Sequence, residues 1–249
     1  MAIQIKTAAE IEKMGFSGRI LRQVHNAIAP LVRPGSSTMD LEAAATAMIA
    51  ELGAISAFKG YHGYPAALCT SVNDEVVHGI PSEGRVLKDG DIVSVDCGVI
   101  LDGFFSDAAE TYAVGTVNSE TERLLRTTRA SLEAGIAAAK VGGRLGDISA
   151  AVQTLCEGEG FGVVRDFVGH GIGRAMHEDP QVPNFGVAGR GPRLRAGMVL
   201  AIEPMINAGS PEVRVLKDGW TAVTLDHGYS AHFEHTVAIT KDGPQVLTR

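Results

Sequence analysis

Two patterns of apolar and polar positions alternate along the chain. One is helical. Thr7 with Glu10 reads as a capping box that opens a helix through about Val32, where Pro34-Gly35 breaks it. A second helix is expected over about Met39 to Leu52, ended by Gly53. Ser119 with Glu122 caps a third, through about Lys140, and a fourth covers roughly Gly146 to Glu157. The other pattern is of strands between turn signals. Residues 92–100 and 104–114 flank Leu101-Asp102-Gly103, and residues 212–217 and 220–225 flank Asp218-Gly219, so both pairs read as hairpins. Residues 230–240 read as a last strand. Hairpins with helices grouped apart predict an α+β fold, not a doubly wound parallel sheet.

The pattern repeats. LKDGDIVSVD (Leu87 to Asp96) aligns without a gap on LRAGMVLAIE (Leu194 to Glu203), an offset of 107 residues. The same offset pairs Asp40-Leu41-Glu42-Ala43-Ala44 with Asp147-Ile148-Ser149-Ala150-Ala151, and Gly53 with Gly160. Two generic helix–strand units could look alike, but agreement of separate segments on one offset favours two similar half-domains. That period is too long for a solenoid. Two halves, roughly 1–115 and 116–249, would then form one domain, with Asp96 and Glu203 at equivalent places on two central strands.

Composition narrows the class only a little. The 249 residues are 45% hydrophobic and 5% aromatic, enough for a sizeable core. The net charge of −7, without like-charge blocks, argues weakly against a nucleic-acid surface. MAIQIKTAAEIEK carries no long apolar run, so neither a signal peptide nor a membrane span is expected. The odd count of cysteines (Cys69, Cys97, Cys156), with no CxxC pair, suggests reduced thiols and a cytoplasmic setting. No GxGxxG or GxxxxGK[ST] follows a strand, so no nucleotide site is indicated.

The chemistry lies in acids set among apolar residues. Asp96 in SVDCGV, Glu203 in AIEPMI and Glu234 in HFEHTV interrupt buried-looking strands, where a carboxylate is costly unless paired or metal-bound. Asp107 lies across the first hairpin from Asp96, and His170 lies between glycines in VGHGIG. Four of the five have a plainer explanation. Asp96 could be a salt-bridged structural residue, Asp107 a solvated strand end, His170 an ordinary loop histidine, and Glu234 a partner of His232 or His235. Together, four carboxylates and an imidazole suit two divalent first-row ions and metal-assisted hydrolysis. His78 in VVHGIP and His177 in AMHEDP could polarise a carbonyl or hydrogen-bond an amide, or be surface residues. His25, on a helix, is expected at the surface.

In chain order come YHGYP (Tyr61 to Pro65), SVNDEVVHGIP, LKDGDIVSVD, GFFSD, VGHGIGRAMHEDP, GMVLAIEPMI, DGW and HFEHT. This series, spanning nearly the whole chain, resembles the type I methionine aminopeptidases in their short bacterial form. The resemblance implies a pita-bread fold, two pseudo-symmetric halves around a curved antiparallel sheet. It implies a monomer that removes the initiator methionine from nascent chains when the second residue is small. The start Met1-Ala2 has that form, and no extension ahead of the catalytic domain is expected. Asp96, Asp107, His170, Glu203 and Glu234 would be the metal ligands, with Asp96 and Glu234 bridging two ions (Co, Mn, Fe or Zn) that hold the attacking hydroxide. Glu203 would carry the proton from that water to the leaving amine. His78 would meet the scissile nitrogen and His177 the carbonyl. Tyr61, Tyr64, Cys69 and Trp220, joined by Phe58 and Met176, would line the methionine pocket. Phe58 and Met176 differ from the family pattern, which leaves the pocket's shape open while the ligand set is intact. The ribosome near its exit tunnel is an implied partner; a membrane or nucleic acid is not.

Two other functions compete. Prolidases and proline aminopeptidases share the fold but carry a long N-terminal domain for which this chain has no room. A non-enzymatic binding protein on the same scaffold would have lost ligands, and all of them are present.

Overall fold

A polar cap starts the first helix where the sequence places it. The computed structural model describes residues 2–249, so Met1 of the Met1-Ala2 start lies outside it. Helix α1 (Ala8–Ile28) opens with the Thr7 hydroxyl accepting the Glu10 N–H, while the Glu10 carboxylate accepts the Thr7 N–H. It ends at Ile28 and continues only as a 3-10 turn, Ala29–Leu31. Pro30 has no N–H with which to extend the α-helical ladder. Helix α2 (Thr38–Glu51) uses Ser37 and Asp40 in the same way. Helix α3 (Ser119–Ala138) is capped by Asn118, not by Ser119: the Asn118 amide oxygen accepts the Thr121 N–H at 2.9 Å. Helix α4 is Leu145–Gly158.

The strands are β1 (Ile55–Ser56), β2 (Leu68–Val72), β3 (Glu75–Val77), β4 (Ile92–Leu101), β5 (Phe104–Ala113), β6 (Gly162–Val163), β7 (Gly169–Gly171) and β8 (Glu178–Val182). There follow β9 (Val199–Ile202), β10 (Met205–Asn207), β11 (Val213–Val215), β12 (Ala222–Thr224), β13 (Ser230–His232), β14 (His235–Thr240) and β15 (Gly243–Val246). All pairings are antiparallel among the described residues. The first predicted hairpin is present, with β4 against β5 from Ile92↔Ala113 to Leu101↔Phe104. β2 and β1 pair along the other edge of β4. A five-stranded sheet runs in the order β15-β14-β9-β7-β8, and three-stranded sheets are β13-β10-β6 and β11-β12-β3.

The duplication is visible atom by atom. α2 and α4 begin and end 107 residues apart. The isolated bridge Ser37↔Val86 recurs as Arg144↔Arg193. Gly35 N–H to Leu87 C=O recurs as Gly142 N–H to Leu194 C=O. Even the strand register repeats, Ile55↔Ile100 and Ser56↔Val99 returning as Gly162↔Asn207 and Val163↔Ile206. The glycines of the LKDG and LRAG turns, Gly90 and Gly197, share a left-handed φ of 90° and 91°. A side chain there would be strained, so the turn keeps glycine in both copies. Each half also has its own apolar cluster. Leu21, Val24, Ile28 and Leu41 pack under Val93, Val95 and Cys97. Leu132, Ile136, Ile148 and Val152 pack under Leu200 and Ile202.

The halves meet along a seam made by threonine hydroxyls. Thr236 Oγ1 accepts the Asp107 N–H at 2.9 Å and donates to the Asp107 C=O at 2.8 Å. Thr111 Oγ1 does the same for the His232 N–H and C=O at 2.8 and 2.7 Å. Between them the Glu234 N–H donates to the Ala109 C=O at 2.9 Å. β5 and residues 232–236 thus run side by side, joined at each end by a threonine hydroxyl that is donor and acceptor at once and between them by a backbone hydrogen bond.

Two expectations are corrected here. His25 is 3% exposed, not a surface residue. Its Nε2–H donates to the Ala108 C=O at 3.0 Å, beneath β5. The expected strand 230–240 is broken at Phe233-Glu234. β13 follows β10 and β14 follows β9, and between β9 and β10 lies Glu203-Pro204, where proline has no N–H for a ladder.

Candidate metal centre and substrate cleft

β4 and β5 place the first two acids. Asp96 stands opposite Ala109, and Asp107 opposite Gly98, so the two are diagonal neighbours on one face of the hairpin. His170 comes from β7. Its flanking glycines are there for close approach, not for a turn. A Cβ on Gly169 would sit 2.4 Å from the Ala201 carbonyl oxygen, and one on Gly171 2.3 Å from that of Asp179. Glu203 and Glu234 occupy the two places where the ladders break, so their carboxylates meet below the seam.

Donor atoms of Asp107, His170 and Glu234 lie within 4.8 Å of one another and could hold one metal ion. His170 Nε2 is 3.8 Å from Asp107 Oδ2 and 3.6 Å from Glu203 Oε1. These separations are too long for hydrogen bonds and leave room for a cation between the donors. Asp96 Oδ1, Asp107 Oδ1 and Glu234 Oε1 are buried without a hydrogen-bond partner. Buried acids without partners are rare in native proteins, so the donor set fits divalent cations. Without a cation the acids resist ionising. Burial, with Glu203 nearby, raises Asp96 to about 7 despite a lowering by His232. Burial raises Glu203 to about 8. Asp107 is pushed up by burial and by Asp96, and Glu234 by burial and by Asp107. His170 is brought down to about 3, chiefly by burial, and so stays neutral. Its Nδ1–H donates to the Gly171 C=O at 2.9 Å, which leaves the Nε2 lone pair for a metal.

A cavity of about 290 Å³ opens above these donors, and every candidate residue from the sequence lines it. Its apolar wall is a cluster of Phe58, Tyr64, Cys69 and Met176 with Tyr61 and Trp220 at its edge. The Tyr64 hydroxyl lies 3.0 Å from both the Leu68 and the Gly79 carbonyl oxygens, and its ring meets Trp220 edge-on at 5.0 Å. The Tyr61 hydroxyl is 2.8 Å from His177 Nδ1. His78 has a left-handed backbone, φ 62°, which turns its ring toward the cavity. That ring stands edge-on to Phe167 at 5.5 Å and to Trp220 at 6.5 Å, and burial lowers it to about 4.

The sequence did not single out several residues that matter here. Phe167 braces His78. His62, also lining the cavity, meets Tyr61 at 4.4 Å. His232 lies with Nε2 3.6 Å from Glu203 Oε2. Glu42 accepts the Ala67 and Leu68 N–H groups, each at 2.8 Å, and so fixes the start of β2 beside Cys69. His232 sits two residues from Glu234 in an apolar run, a signal that could have found it. Glu42 lies on an ordinary helix face and gives none.

Helices over antiparallel sheets, two equivalent halves and a carboxylate–imidazole cluster between them define a metal-dependent hydrolase, and the chain belongs to metallopeptidase family M24, whose model matches residues 12–241. The fold is the pita-bread fold expected above. The methionine aminopeptidase of Clostridium perfringens is 55% identical over 246 residues, covering 99% of this chain and 98% of that one. Methionine aminopeptidase 1 of Bacillus subtilis is 51% identical, covering 98% of each. The crystal structure of methionine aminopeptidase from Thermotoga maritima superposes with a TM-score of 0.98 at 48% identity, over 100% of both chains. Among the described residues no helix is long and apolar enough to cross a membrane.

Proposed function

We propose that this protein is a methionine aminopeptidase that removes an N-terminal methionine ahead of a small second residue, acting on newly made chains. One observation carries the reading: a single cavity joins a floor of metal donors to an apolar wall of the size and softness that methionine fits. An unbranched, polarizable thioether packs well against aromatic and sulfur groups such as Trp220, Tyr64, Cys69 and Met176. Full-length relatives at about 50% identity bear the same activity in their names.

Asp96, Asp107, His170, Glu203 and Glu234 would hold two divalent ions, of Co, Mn, Fe or Zn. Such ions supply Lewis acidity and lower the pKa of water to near neutrality. The chain's own groups do the rest. Glu203 accepts the water's proton and passes it to the amine that departs. For His177 to donate its Nε2–H to the scissile carbonyl oxygen its Nδ1 must accept, and the Tyr61 hydroxyl 2.8 Å away is placed to donate to it. His78, neutral near pH 7 and braced by Phe167 and Trp220, holds the scissile nitrogen. Its bulk at the rim favours a small second residue.

The test uses purified protein loaded with each metal in turn and the peptides Met-Ala-Ser, Met-Gly-Ser and Met-Leu-Ser. Methionine should be released from the first two much faster than from the third, and chelation should stop it. Absence of release with every metal would overturn the function; equal rates for alanine and leucine would overturn selection at the rim.

A further inference from the structure

His232 lines the same cleft and has no task in that scheme. Its placement is too costly to be incidental. The residue is 1% exposed, and its Nε2 is buried without a hydrogen-bond partner. Its backbone is locked on both sides by the Thr111 hydroxyl, so the ring cannot drift away. Nε2 stands 3.6 Å from Glu203 Oε2, while the other oxygen, Oε1, stands 3.6 Å from His170 Nε2. The two imidazoles therefore flank one carboxylate, one on each oxygen. They are not equivalent. His170 belongs to the cluster with Asp107 and Glu234; His232 does not.

Once Glu203 is ionised in the loaded site, a nitrogen aimed at its oxygen and not itself bound to a metal must carry a hydrogen, because a lone pair there would face lone pairs. A separation of 3.6 Å is longer than a hydrogen bond, but such contacts commonly tighten once a site is loaded. We infer that His232 is a positioning residue for Glu203: its Nε2–H donates to Oε2, which keeps Oε1 turned toward His170 and the water to be activated. A freely rotating Glu203 would spend part of its time with neither oxygen in line for that proton.

The inference rests on the function proposed above, and the experiment separates the two. Full-length protein with His232→Leu, which has no donor, and His232→Gln, whose amide N–H can still donate, is loaded with Mn²⁺ and assayed on Met-Ala-Ser. His232→Leu should lower kcat about 10- to 100-fold, the usual cost of losing such a supporting bond, with KM, metal stoichiometry and Tm unchanged. His232→Gln should recover most of the loss. The proposal is overturned by a kcat within twofold of wild type in His232→Leu, by loss of metal in that variant (His232 would then be a ligand), or by a folded His232→Gln no better than His232→Leu. Long-range ¹H–¹⁵N spectra of the Zn²⁺-loaded protein, in which Glu203 is ionised, give a readout apart from activity. The proton should sit on Nε2, and a proton on Nδ1 alone would overturn the assignment. If wild type releases no methionine, the function fails while the spectrum still decides the contact.

Discussion

Replacing Thr236 by valine tests whether the threonine seam holds the metal site in place. The two side chains are nearly the same shape, and Thr236 is fully buried, so the change removes a hydroxyl and little else. That hydroxyl satisfies both backbone groups of Asp107, at 2.9 and 2.8 Å. Each buried group left unpaired costs about 1–3 kcal/mol, so the variant should lose roughly 2–6 kcal/mol. In a chain of this size each kcal/mol shifts Tm by about 2–4 °C, which gives a fall of roughly 5–20 °C. The carboxylate of Asp107 would be held less firmly, and metal affinity should drop by about one to two orders of magnitude. Thr236→Ser keeps the donor and the acceptor and should restore most of both. Thermal melts of metal-free protein and calorimetric titration with Mn²⁺ give the two quantities. A Thr236→Val melt within 2 °C of wild type (well under the ~5 °C floor above), or a serine variant as weak as the valine one, would refute the role given to the seam.

Asp96→Asn should abolish methionine release and weaken metal binding, yet leave the metal-free protein at least as stable, since one of several mutually repelling acids is gone; melts with and without metal check both halves, and near-normal turnover in metal-replete variant would sink the assignment. His177→Ala should reduce kcat about 10²- to 10³-fold with metal content unchanged, as for loss of one oxyanion donor; a missing ion would make His177 a ligand instead. His25 gives a pH dependence away from the metal centre. Burial lowers it, so the folded state keeps it neutral while the unfolded chain titrates it near 6.5. Its stability contribution is therefore present above about pH 6.5 and lost as pH falls below it. Between pH 7.5 and 5.5 wild type should lose up to about 1.4 kcal/mol more than His25→Gln in urea unfolding, and parallel losses would contradict the burial.

Much of the site is legible in the amino-acid sequence because carboxylates in apolar runs are conspicuous. Asp96, Glu203 and Glu234 each break a strand pattern, and the repeat ties the first two together. The hairpin at Asp102-Gly103 and the helix cap at Thr7 are local signals, and the fold contains both. What the sequence hides is long-range. His25 reads as a helix-surface residue because its partner, the Ala108 carbonyl, is far along the chain. Residues 230–240 read as one strand because nothing local shows that β13 and β14 follow different neighbours. Glu42 and Thr111 act on backbone groups across the fold, and neither carries a pattern that announces this.

The seam also dictates when the site can exist during synthesis. Asp107 is made early, but its neighbours across the seam, Glu234 and Thr236, come more than half a chain later. A growing chain can fold α1, α2 and the β4–β5 hairpin and still bind no metal in the cluster. That cluster closes only once β14 has paired with β9 and laid residues 232–236 against β5. Contacts so distant along the chain form slowly, since loop closure must precede their gain. Metal uptake should thus mark the end of folding, and an interrupted or truncated copy that stops short of Glu234 should not assemble the cluster of Asp107, His170 and Glu234.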